Sequence, residues 1–329
     1  MLYLHGMGHF FPENVISNRF ISELDIGSDE TWILERVGIR TRRTTLPLAY
    51  IRETGNQDPR QAADVSLYTH AQMGAKAARM GLDRAGLTEA DLGMVVCGTS
   101  SPAYAIPALA CNVAAELGLE IPCVDINTAC STFVVQLSMV ANMVPESLPA
   151  FILVVNPECC THVVDYRDRR VAPLFGDGCS AAIVSRRIPA DKWIETGGFF
   201  SAPSKWDAIQ IPRSGHFRQD GRVVQKFAIR KTARMLKDLI QAHPLGPERL
   251  KFIGHQANLK VLVHAAETCG ILKDNHWHNV VDYGNTGCGS APGVLSQNWD
   301  RLEPGDHVGM VVVGAGLTWA SAMLQVKGE

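Results

Sequence analysis

The chain has 329 residues and a formal net charge of −2, with 46% of its residues hydrophobic and 19% charged. That is an ordinary globular balance, long enough for one large core or two fused ones, and the absence of a basic block argues against nucleic acid as a partner. No apolar run approaches the roughly 20 residues of a membrane span, the opening Met1-Leu2-Tyr3-Leu4-His5-Gly6 lacks a basic leader, and nine scattered cysteines fit a reducing cytoplasm better than a disulfide framework.

In chain order, residues 1–10 read as a strand and 19–36 as a helical region ending near Gly38. Ile39 to Thr45 is basic, a loop or short strand. Residues 46–62 hold Pro, Gly, Asn and Asp and read as a loop. Ser66 to Ala85 is amphipathic and stops at Gly86, a helix with its usual terminator. Leu92 to Cys97 is a buried strand, Ser100 to Pro107 a loop and Ala108 to Leu117 a helix. Pro122 to Ile126 is a strand leading through Asn127-Thr128-Ala129-Cys130-Ser131-Thr132 into a helix over Phe133 to Val144. Ala150 to Asn156 and Ala181 to Ser185 are strands on either side of Phe175-Gly176-Asp177-Gly178. Residues 186–224, rich in Arg, Pro and Gly, read as irregular loops or a cap. Strands alternating with helices point to an α/β architecture.

The second half repeats the first. Asp125 and Asp282, Val154 and Val311, and Cys97 and Gly254 each stand 157 residues apart in matching apolar contexts. Three matches at one offset indicate a duplicated α/β unit. We place the halves at 1–185, carrying Cys130, and 186–329, carrying His255 and Asn285.

Cys130 sits at a strand-to-helix elbow among small residues. A helix N-terminus favours thiolate over thiol, so the position suits a nucleophile; a buried inert cysteine is the plainer alternative. Ligands of open α/β sheets sit beyond the carboxyl ends of strands. There the duplication can bring Cys130 together with His255, which follows a strand, and Asn285 on a second elbow, Tyr283-Gly284-Asn285-Thr286-Gly287. Taken singly, His255 could be a core histidine and Asn285 a helix cap.

Together these residues resemble a known family. Asn127-Thr128-Ala129-Cys130-Ser131, Phe175-Gly176-Asp177-Gly178, His255-Gln256-Ala257-Asn258, Tyr283-Gly284-Asn285-Thr286-Gly287 and Gly314-Ala315-Gly316-Leu317-Thr318-Trp319 occur in the order found in ketoacyl synthase III-like condensing enzymes of the thiolase superfamily. The resemblance covers essentially the whole chain. It implies a thiolase-like fold, a duplicated α/β unit in α-β-α-β-α layers. It also implies a Cys-His-Asn triad at Cys130, His255 and Asn285. Cys130 would take an acyl group from a thioester, in an oxyanion hole of the backbone N–H groups of Cys130 and Ala315. His255 and Asn285 would then support decarboxylation of a malonyl thioester, giving a β-keto product. No metal or redox cofactor is implied, CoA and acyl-carrier-protein thioesters being substrates; His276-Trp277-His278 reads as packing, since no third ligand is spaced for it.

The resemblance also implies substrate contacts at Trp32 (CoA adenine), Arg36 (phosphate), Ile106 (acyl pocket of the partner in a homodimer), Arg222 and Lys226 (pantetheine entrance), Asn258, and Lys260 (the acidic carrier protein). Arg40, Arg42 and Arg43 lie just beyond, with a solvated basic strand as the plainer reading. Several positions depart from the family pattern. His162 stands where an arginine usually gives a second adenine contact, Ala315 where glycine is usual, and Thr128, Ser131, Thr132 and Gly287-Cys288-Gly289 surround the acyl site. The first substrate is then expected to be an acyl-CoA or acyl-carrier protein with a chain other than simple acetyl, and the second a malonyl-carrier protein. The setting is fatty-acid or specialised-metabolite biosynthesis. Alternatives are an acyltransferase that passes the Cys130 acyl group to a hydroxyl or amine, and a non-catalytic partner subunit.

Overall fold

The computed structural model describes residues 1–243 and 245–328. Its first half runs β1 (Leu2–Phe10), β2 (Asn14–Ser17), α1 (Asn18–Glu23), α2 (Glu30–Val37), β3 (Thr41–Thr44), α3 (Leu48–Thr54), α4 (Ala62–Val65), α5 (His70–Ala85), β4 (Leu92–Cys97), α6 (Leu109–Glu116), β5 (Cys123–Asp125), α7 (Thr132–Asn142), β6 (Phe151–Glu158) and β7 (Gly178–Ser185). Then follow β8 (Lys192–Ser201), β9 (Ile209–Gln210), β10 (Arg218–Gln219), α8 (Gly221–Ala242), β11 (Leu250–Gly254), α9 (Leu259–Thr268), α10 (Val280–Tyr283), α11 (Ser290–Gln297), β12 (His307–Gly314) and β13 (Thr318–Val326). Helix ends follow local chemistry. Thr69 and Gln72 close α5 with a reciprocal capping box, and Asp29, Asp220 and Asn258 accept backbone N–H groups at the starts of α2, α8 and α9. Gly38 and Gly86 end α2 and α5 in the left-handed conformation.

Nine strands form one sheet in the order β11-β12-β13-β8-β1-β7-β6-β4-β5. Its two ends mirror one another about the β1–β8 contact, where Leu2 pairs with Ile194 and Tyr3 with Trp193, antiparallel. Each side repeats one pattern: β4 and β6 are parallel like β11 and β12, and β7 and β13 return antiparallel. The duplication read from the 157-residue offset is thus present in the strand pairing.

The cores arrange these strands in the five layers of the thiolase-like fold. One apolar cluster joins α7 and α11 to inward residues of both half-sheets, including Leu4, Val154, Val184, Met310 and Val312. A second packs α5 and α6 on the outer face of the first half-sheet, and a third packs α8 and α9 outside the second. Helix α7 lies between the two half-sheets, with Phe133, Val134, Val135, Leu137 and Val140 all buried. Outside the sheet, β1 approaches α5 so closely that a Cβ on Gly8 would collide with the carbonyl of Ala77. Among the described residues no helix is long and apolar enough to cross a membrane.

Four expectations are corrected. Residues 186–224 are not irregular: they supply β8, the partner of both β1 and β13, and the short β9–β10 pair. The 46–62 stretch contains α3, held by the buried Ile51. Residues preceding the second elbow form the helical turn α10, not a counterpart of β5. Arg42 is no surface cation: it is fully buried, donating to the carbonyl of Pro173 and to Asn18, while Arg40 pairs with Asp282 at 2.9 Å.

Candidate active site

Cys130 is presented by a turn that its own side chains hold. Ala129 adopts a left-handed φ of 51°, a conformation that costs a non-glycine residue about 1–3 kcal/mol. Local hydrogen bonds offset that cost. The Ala129 N–H donates to Asn127 Oδ1 at 2.8 Å, the Thr128 N–H to Thr132 Oγ1 at 2.8 Å, and the Thr132 hydroxyl to the Ala129 carbonyl at 2.6 Å. The elbow is stitched to the far end of the chain: Ser131 Oγ meets Thr318 Oγ1 at 2.8 Å, and the Thr318 hydroxyl also lies 3.2 Å from the carbonyl of Thr128. Gly314 is needed at this seam, since a Cβ there would stand 2.8 Å from Thr128 O and 3.0 Å from Ser131 N. The N–H groups of Cys130 and Ala315 donate to no other residue among the described residues.

His255 follows β11, its N–H bonded to the Val311 carbonyl at 3.0 Å. Next to it the buried Gln256 accepts from the N–H groups of Asn279 and Val280, tying β11 to α10. Asn285 is clamped from the first half: its N–H donates to Leu174 O at 2.9 Å and its carbonyl accepts from Gly176 N at 3.1 Å. The Phe175-Gly176-Asp177-Gly178 motif serves this clamp. A side chain at Gly176 would collide with the Tyr283 carbonyl, and buried Asp177 accepts from Thr45 and Thr161. The Gly287 N–H occupies Asn285 Oδ1 at 3.0 Å, leaving Nδ2 without a protein partner among the described residues. Ser290 Oγ lies 3.4 Å from His255 Nδ1, and His255 Nε2 likewise has no protein partner there.

The electrostatics differ from expectation at Cys130. The sequence position beside a helix N-terminus suggests a thiolate, yet burial, and then the Glu158 carboxylate, push the thiol up to about 12. His255 moves the opposite way, lowered to about 4 by burial, so its imidazole is neutral at physiological pH. Glu158 was not singled out by sequence reasoning. The available signal was a lone charge closing the apolar strand Phe151-Ile152-Leu153-Val154-Val155-Asn156-Pro157.

The residues expected to contact substrate lie mostly at the surface. Trp32 is half-buried, Arg36, Arg222, Lys226 and Lys260 are exposed, and Asn258 caps α9 with its Nδ2 3.4 Å from the Arg36 carbonyl. Ile106 is 84% exposed at the tip of its loop. His162 does not face Trp32; it is buried, with Nε2 2.8 Å from Thr45 Oγ1. Arg169 covers Trp32 instead, its guanidinium 4.3 Å from the ring centre. Arg169 also lines an open cleft with Ile26, Asp165, Arg167, Asp168 and Arg170. His276 stacks on Phe252, and the intervening Trp277 is buried.

Residues 124–197 match the family model for 3-oxoacyl-[acyl-carrier-protein (ACP)] synthase III, and residues 241–326 match its C-terminal model. The chain is 29% identical to a β-ketoacyl-[acyl-carrier-protein] synthase III of Sulfurovum sp., over 98% of this chain and 95% of the relative. It belongs to the ketoacyl synthase III-like condensing enzymes of the thiolase superfamily. The crystal structure of 3-oxoacyl-[acyl-carrier-protein] synthase III from Aquifex aeolicus superposes with a TM-score of 0.87 at 27% identity, covering 99% of this chain and all of that one. The priming β-ketosynthase of the R1128 polyketide pathway superposes with a TM-score of 0.82 at 26% identity, covering 100% of this chain and 97% of that one.

For this condensing enzyme the protonated resting thiol has a measurable consequence. Alkylation of Cys130 by iodoacetamide should rise about tenfold per pH unit between pH 7 and pH 10 without a plateau, as read by peptide mass mapping. A plateau reached by pH 8 would instead reveal a thiolate stabilised by the helix terminus.

Proposed function

We propose that this condensing enzyme loads an acyl group from a thioester onto Cys130 and condenses it with a malonyl thioester, in fatty-acid or polyketide biosynthesis. The observation that carries this reading is a pair of donors with no protein partner among the described residues, Asn285 Nδ2 and the Nε2 of a neutral His255, linked through Ser290, whose hydroxyl meets both His255 Nδ1 and the Gly287 carbonyl. In the first step the Cys130 sulfur attacks the thioester carbonyl, the carbon–sulfur bond to the donor breaks, and the thiol proton ends on the released carrier thiol. The N–H groups of Cys130 and Ala315 receive the developing oxyanion; a backbone donor is indifferent to alanine in place of glycine. In the second step the malonyl carbon–carboxylate bond breaks, CO2 leaves, and the electron pair forms an enolate. Its oxygen accepts hydrogen bonds from His255 and Asn285. The carbanion attacks the acyl-Cys130 carbonyl and the cysteine sulfur departs.

The donor of the first acyl group is read as CoA. Trp32 offers an aromatic face, and Arg169 supplies the planar cation that His162, turned into the core, does not. Exposed Lys260 supports a malonyl-carrier protein as the second substrate. A homodimer is supported by Tyr104 and Ile106, large apolar side chains 67% and 84% exposed on one loop. Nine free cysteines, most of them buried, support a reducing cytoplasm.

His255→Ala and Asn285→Ala are each expected to leave acyl loading of Cys130 intact, measured by peptide mass mapping, and to slow malonyl decarboxylation on the order of 100- to 1000-fold. Loading lost together with decarboxylation would reject the division of roles. Wild-type enzyme that transfers acyl groups to a hydroxyl or amine and never releases CO2 would make it an acyltransferase instead. Trp32→Ala and Arg169→Ala should each slow loading from acyl-CoA while sparing loading from acyl-carrier protein. Equal rates from CoA in all three proteins would reject the CoA reading.

A further inference from the structure

Glu158 is buried at the end of β6 and accepts hydrogen bonds from two directions. From the loop after β4, Thr99 Oγ1 donates at 2.9 Å, the Ser100 hydroxyl at 2.7 Å, the Ser100 N–H at 3.1 Å and the Ser101 hydroxyl at 3.3 Å. From the second elbow, the Cys288 N–H donates at 3.1 Å and its thiol at 3.0 Å. The unusual Gly287-Cys288-Gly289 sequence now has a physical reason. Gly287 has a φ of 56°, and a Cβ there would collide with the Glu158 carboxylate; one on Gly289 would stand 2.8 Å from the Asn156 carbonyl. The turn that carries Asn285 must therefore be bare where it meets this carboxylate. The same loop reaches the nucleophile: a Cβ on Gly98 would stand 2.6 Å from the Ile126 carbonyl, at the start of the Cys130 elbow, and the Gly98 carbonyl lies 3.4 Å from Cys288 Sγ.

We propose that Glu158 is a positioning residue of the acyl-transfer site, bolting the Asn285–Cys288 turn to the Thr99–Ser101 loop that abuts the Cys130 elbow. This rests on the reading of Cys130 as the nucleophile. A carboxylate beside a thiol opposes its ionisation, which matches the direction found for Cys130. The other titratable groups beside Glu158 are His70 from the start of α5 and the thiols of Cys97, Cys159, Cys160, Cys179 and Cys288. Burial pushes these thiols up and lowers His70 to about 4, so none of them carries charge at physiological pH.

The test is the pH profile of Cys130 alkylation by iodoacetamide in full-length Glu158→Gln, with circular dichroism melts to establish folding. The midpoint is expected to fall, each pH unit of that fall meaning about tenfold more thiolate at a fixed pH. Glu158→Asp keeps the charge but draws it back by one methylene, and its midpoint is expected between wild type and Glu158→Gln. A folded Glu158→Gln whose profile superimposes on wild type overturns the proposal. Should Glu158→Gln not fold, an unchanged midpoint in Glu158→Asp overturns it equally, and a lowered one sustains it. Alkylation does not depend on thioester loading. A failed nucleophile assignment would show as absent acylation of Cys130, and a failed role for Glu158 as an absent midpoint shift.

Discussion

The hydroxyls of Ser131 and Thr318 meet at 2.8 Å where the two halves of the chain touch. This contact fixes the Cys130 elbow, built by the first half, against the Gly314–Thr318 turn, built by the second. A matching clamp runs the other way, from Leu174 and Gly176 of the first half to Asn285 of the second. Each half therefore holds the other's functional residue in place. The fold makes this possible because its half-sheets mirror one another about β1 and β8, so equivalent strand ends point at the same seam. A chain with only one half would present either Cys130 or the pair of His255 and Asn285, not both.

Burial gives the site its chemical character. A thiol held near 12 and an imidazole lowered to about 4 are both neutral at rest. Neutrality suits a transthioesterification in which thiol and thioester merely exchange partners. It also suits a decarboxylation whose developing negative charge lies on an enolate oxygen, because donors in a dry site act on that charge strongly. The protonated resting thiol is also a poor target for stray electrophiles, since the thiolate is the reactive form.

Much of this was legible in the sequence. The 157-residue offset reappears as β4 with β11 and β6 with β12, and the elbow at Cys130 lies between the strand and helix that its neighbours suggest. What escaped has physical reasons. The strand β8 carries Lys192, Glu195 and paired Gly197-Gly198, and only Ile194 along it is buried, so its apolar period is faint. Helix α3 is under two turns long and starts after a proline, which reads locally as a turn. Arg169 lies seven residues beyond His162, and only the path of the loop carries it onto the Trp32 ring. The hold of Glu158 on the Asn285–Cys288 turn is a contact between distant segments, and no local signal at the elbow announces it.

In the proposed reaction, discharge of the Cys130 acyl group is coupled to loss of the malonyl carboxylate. A single-turnover measurement tests it most directly: acyl-Cys130 enzyme, freed of donor, is mixed with malonyl-carrier protein labelled at its free carboxylate. Coupling requires that labelled CO2, loss of the acyl group from Cys130 and β-ketoacyl product appear together in equal amounts. Loss of the acyl group to water or another nucleophile, with the malonyl carboxylate intact, would contradict it.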